Sequence, residues 1–119
     1  MNQEQEELLE RKCFEFADRL SDIYVEAPDD PTAWRLRQLH FAAVKTGVFV
    51  RKSLMHDSRR EHAHHMLQAC IHALESEYWL QLLVSKEPFE ALNQALQQVK
   101  EIIVMLSQIL KLKNFNPNY

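Results

Sequence analysis

The chain has 119 residues, 46% apolar and 26% charged, with a net charge of −3, two cysteines and a single glycine. That length and balance suit one domain over residues 1–119 with a single core and exclude disordered and fibrous classes. One glycine also excludes glycine-rich phosphate loops and the repeated positive-φ turns of sandwiches, barrels and α/β folds, which leaves an all-α chain.

The opening MNQEQEELLE is acidic and polar, without the basic and then apolar pattern of a secretory leader. No run approaches the roughly 20 apolar residues that span a bilayer. A cytoplasmic protein without a membrane partner is expected. Helix one is predicted over about residues 3–26, because Leu9, Cys13, Phe16, Leu20 and Ile23 recur at four-three spacing and form one stripe. It is the acidic element: residues 1–27 carry eight acids and three bases. Cys13 and Cys70 have no Cys-x-x-Cys spacing and are expected as free thiols.

At EAPDDP, Pro28 stops the first helix, Asp30 is placed to cap the next, and Pro31 suits its first turn. Helix two, about 31–55, puts Leu36, Leu39, Ala43, Gly47, Val50 and Leu54 within one arc. Glycine in a helix interior costs about 1 kcal/mol relative to alanine, so Gly47 on this arc predicts a close helix crossing. Nearly opposite, Trp34, Phe41, Val48 and Met55 recur every seven residues. This second apolar stripe is assigned to contact with another subunit. The competing expectation is that the wheel drifts and these residues pack beside neighbours in the same bundle.

Helix three, about 58–84, opens on SRRE, a capping box in which Ser58 takes the amide of Glu61. Its apolar side is read as Ala63, Leu67, Cys70, Leu74 and Tyr78, with Ile71 beside them. Helix four, about 88–113, carries Leu92, Leu96, Val99, Ile103, Leu106 and Leu110, and lysines suit the negative end of its dipole. The tail NFNPNY reads as loop. Four helices of matched length with short connections predict an antiparallel up-down-up-down bundle.

Five of the six histidines fall between residues 56 and 79. Glu61-x-x-His64 has the spacing of a carboxylate-bridged di-iron site, but such sites need two copies and further glutamates, and helix two has none. His65 and His72 are about 10.5 Å apart along the axis, too far for one ion. His62 and His65 could share a surface ion only as two weak ligands. Solvated histidines, no metal, no cofactor and no catalytic residue are therefore expected, and a metal-binding bundle enzyme using Glu61, His64 and nearby histidines is the alternative. Glu77 borders the apolar side and is expected to pair with Arg37. Arg51, Lys52, Arg59 and Arg60 gather near the turn between helices two and three, alongside His56, His62, His64 and His65. They are the candidate contacts for RNA, DNA or an acidic partner.

RQLHFAAV (37–44) and REHAHHMLQACIHALESEYWL (60–80) resemble the small bacterial four-helix-bundle proteins encoded within intervening sequences of 23S ribosomal RNA. Gln38, Leu39, Ala42, Ala43 and Val44 carry the likeness in helix two. Arg60, Glu61, Ala69, Glu75, Glu77 and Leu80 carry it in helix three. The likeness extends from about Phe14 to Leu112. Where that family commonly has a serine and then an Asn-Ile-Ala-Glu-Gly turn, this chain has Lys45 and Phe49 to Ser53. The accessory variability proteins of diversity-generating retroelements are a related, strongly basic group, and this chain lacks their basicity. The resemblance implies a homo-oligomer, a ring of five subunits, with no established enzymatic activity and an association with nucleic acid or ribonucleoprotein.

Overall fold

The computed structural model describes residues 3–26, 31–55, 57–86 and 89–112. These form four helices in chain order: α1 (Gln3–Glu26), α2 (Pro31–Leu54), α3 (Arg59–Lys86) and α4 (Glu90–Leu112). Pro28, Asp30, His56 and the tail NFNPNY lie outside the described residues. Pro31 opens α2 as its spacing predicts. At α3 the Glu61 amide donates to Ser58 Oγ at 3.4 Å, a long first half of the expected capping box. At α4 the amides of Leu92 and Asn93 donate to the Phe89 carbonyl.

Each helix packs on its neighbour in sequence, and α4 closes the square against α1. The pairing runs antiparallel at the seams with named contacts. Glu10 meets Arg51 while Cys13 faces Gly47 across α1 and α2. Lys12 meets Glu101 while Arg19 meets Gln94 across α1 and α4. Trp34 meets Trp79 while Phe49 meets His65 across α2 and α3. The expected four-helix bundle is the fold.

The core takes Leu9, Cys13, Phe16 and Leu20 from α1, and Leu36, Leu39, Ala43 and Val50 from α2, as their spacing predicts. Large side chains among these each contribute about 1.5–3 kcal/mol by leaving water. On α4 the buried row is Leu92, Ala95, Val99, Ile102, Leu106 and Ile109. Leu96, Ile103 and Leu110, read as core, flank it half-buried. Leu92, Val99 and Leu106 hold their expected places, and the other three buried positions each lie one residue earlier.

Helix α3 departs further. Its buried residues are His62, Ala63, Met66, Ala69, Ala73, Ser76, Leu80 and Leu83. Of the side read as apolar core, only Ala63 is buried, Leu67 and Cys70 are half-buried, and Ile71, Leu74 and Tyr78 are exposed. The physical reason is size. Ala69, Ala73 and Ser76 are small enough to let α3 pack closely on its inner side, Ala42 and Ala43 are buried on α2, and the seam between α2 and α3 is the most extensive of the four. Close backbone approach secures more dispersion contact than larger side chains holding the helices apart. The alanines that carry the sequence likeness thus have a packing role.

The buried hydroxyls are satisfied within their own helices. Thr46 and Ser76 donate to the carbonyls of Ala42 and His72 at 2.9 Å, and Ser53 to that of Val50 at 2.7 Å. Phe49 to Ser53 continue α2 as regular helix.

Candidate functional site

The second stripe of α2 is on the surface: Trp34, Phe41, Val48 and Met55 are 57%, 50%, 44% and 78% exposed. It is not straight. Seven residues fall short of two helical turns by roughly 20°, so the stripe drifts around the helix. At one end the Trp34 ring stands edge-on to Trp79 of α3, with centroids 5.9 Å apart. At the other, Val48 and Met55 line a groove with Phe14 and Ala17 of α1 and with Val44 and Gly47. The groove encloses about 320 Å³, and Glu10, Arg51 and Lys52 border it. Phe14 is 64% exposed. Its only close apolar companion on that face of α1 is the small Ala17, so the spacing carries no strong signal.

A second exposed apolar row lies on α3, formed by Ile71, Leu74, Tyr78 and Leu82. Ile71, Leu74 and Tyr78, expected to face inward, face out because smaller residues take the inner side. On the helical wheel it sits roughly a third of a turn from His65, His72 and Trp79, which pack toward α2.

His62, His65 and His72 are less solvated than expected. His62 is buried, with Nε2 3.5 Å from a Glu6 carboxylate oxygen. His72 stacks on Phe49 at 5.4 Å with rings 9° from parallel, and His65 lies over the same ring at 6.1 Å. His62 and His65 therefore point to different partners and do not share an ion. Phe49 is the platform the sequence did not reveal, because a phenylalanine beside the core arc carries no polar signature. Among the described residues no three His, Cys, Asp or Glu side chains converge to hold a metal. Glu61 and His64 are both exposed, in a shallow depression with Ser58 and Arg60.

The basic candidates divide. Arg51 is bound to Glu10 at 2.7 Å, and the Lys52 ammonium stands 5.0 Å from the Phe49 ring centre. Arg59 and Arg60 are exposed at the start of α3. Two of the four are thus engaged within the chain, and the acids of α1 share their end of the bundle. Arg37 does not pair with Glu77. Its guanidinium carbon lies 5.7 Å from the Phe41 ring centre, one turn along α2, while Glu77 is half-buried on α3. The expected pair fails because Arg37 points outward from α2.

Both thiols are free. Burial, with Glu10 adding to it, pushes Cys13 up to about 12. Burial also raises Cys70. Neither has the depressed pKa of a nucleophile. No helix among the described residues is long and apolar enough to cross a membrane.

No family model and no curated protein matches the chain. Among solved structures it is similar to a protein of unknown function from the S23 ribosomal protein family of Bacteroides thetaiotaomicron. The two are 24% identical over 90% of this chain and 98% of that one, with a TM-score of 0.81. The shared feature at that identity is the fold: an all-α four-helix bundle of the same extent.

Proposed function

We propose that the chain is a divergent relative of the S23 ribosomal protein group and works as a non-enzymatic, self-associating scaffold or binding module. The observation that carries this is the α2 stripe: Trp34, Phe41, Val48 and Met55 remain at least 44% exposed although each helix already has a packed inner face. A long apolar strip with aromatic and methionine side chains has the composition of an interface core. The resemblance to intervening-sequence proteins supports a ring of five. The two half-buried histidines on Phe49 and the shielded thiols support a packing role for residues that would otherwise suggest chemistry.

Light scattering of wild-type protein tests the reading. The expected result is a mass several times that of one 14.1 kDa chain, reduced to a single chain by Phe41→Glu. A wild type that stays monomeric at tens of micromolar (the range in which interfaces with Kd of about 1 μM are filled) overturns it. Association with nucleic acid rests on the exposed Arg59 and Arg60 and the outer ends of Arg51 and Lys52. If phosphates are the ligand, RNA binding should weaken steeply with salt and be lost when these four are neutralised.

A further inference from the structure

We propose that the self-association is head to tail, with the α2 stripe of one copy seated on the Ile71, Leu74, Tyr78 and Leu82 row of the next. This rests on the self-association proposed above and adds which surface receives the stripe.

The two apolar surfaces are distinct. The α2 stripe runs from Trp79 of α3 at its Trp34 end to the groove that Val48 and Met55 line with Phe14 of α1, whereas the α3 row lies away from the residues that pack on α2. An isologous pair would match the α2 stripe with itself and leave the α3 row in water on every copy. Joining unlike surfaces covers both. Such a contact repeats and closes into a ring or runs on as a filament.

Charge selects the same pairing. Between Pro31 and Leu54 α2 carries five bases and no acid. Matching that stripe with itself would set like charges against each other. Arg37 and Lys45 stand one turn either side of Phe41. The wheel of α3 places Glu75 along one border of its row and Glu77 along the other. A basic-rimmed apolar surface facing an acid-rimmed one is the complementary arrangement, and like charges across a border disfavour the alternative.

Complementation tests the proposal. Phe41→Glu blocks the α2 stripe and leaves the α3 row, and Ile71→Glu does the reverse. Both positions are about half exposed, so each variant should keep wild-type helicity, checked by circular dichroism. Should Ile71→Glu lose helicity, Tyr78→Lys at a more exposed position replaces it. Native mass spectrometry should find each variant monomeric alone and a one-to-one complex in the mixture, since one open α2 stripe then meets one open α3 row. Reversing Glu75 and Glu77 to lysine should weaken wild-type assembly about tenfold, and reversing Arg37 and Lys45 to glutamate in the same chain should restore it, the range rim charge pairs allow. Dimers of Ile71→Glu by itself, or a mixture that stays monomeric while wild type is oligomeric, would overturn the head-to-tail pairing but leave self-association standing. A monomeric wild type would remove both.

Discussion

Gly47 gives the sharpest test of the packing. It lies on the inner side of α2 facing α1, and a methyl built there would stand 3.6 Å from Cys13 Cβ. That is an ordinary van der Waals distance, so the crossing is close but leaves room for one carbon. Gly47→Ala should then stabilise the fold. Removing the backbone freedom of glycine from a helix interior contributes about 0.8–1 kcal/mol. The added contact with Cys13 contributes about 0.1–0.2 kcal/mol per atom pair. The sum is about 1 kcal/mol, or roughly a 4 °C rise in Tm for a domain of this size. Urea denaturation followed by circular dichroism measures it, with both proteins at one protomer concentration because association would shift the midpoint. The slope should be unchanged and the midpoint higher. A loss of about 1 kcal/mol or more, the range expected of an overpacked core, would mean that the helices approach more closely than 3.6 Å permits and would refute the reasoning.

The orientation of α3 can be checked with two leucines: Leu80→Ala should cost about 2–5 kcal/mol as a core truncation, and Leu74→Ala within about 0.5 kcal/mol in the monomer. Equal losses in denaturant melts would contradict the placement of the small-residue row inside. Cys13 has a pKa raised from 9.0 to about 12. Because the protonated thiol is favoured in the fold, its contribution is complete below about pH 9 and lost as pH rises from 9 to 12. Wild type should therefore lose stability across that window more steeply than Cys13→Ala, and matching slopes would count against burial as the cause. At pH 8 a thiol reagent should modify Cys70 first and reach Cys13 only on unfolding, so equal rates at the two thiols would be inconsistent with the packing around Cys13.

Much of the candidate surface was legible before folding. The four-three spacing from Leu9 to Ile23 and the seven-residue spacing from Trp34 to Met55 each require only a helix to place them on one face. Both rows sit where their spacing puts them, inner and outer. The histidines were not legible, because whether an imidazole meets water or a Phe49 ring depends on the neighbouring helix. The Arg37 and Glu77 pairing failed for the same reason: each lies on the expected helix, but rotation about the axis separates them.

By itself, then, the sequence determined that the chain is helical, where its helices run, and which faces of α1 and α2 turn inward, since scarcity of glycine and a strong apolar period admit one solution each. The rotation of α3 was decided only by the tertiary structure. That helix is apolar on two sides, so its own pattern is nearly indifferent. The choice fell to which side packs more closely, and the small residues Ala69, Ala73 and Ser76 are buried where Leu74 and Tyr78 are exposed. The same choice turned the larger residues outward and created the second apolar surface.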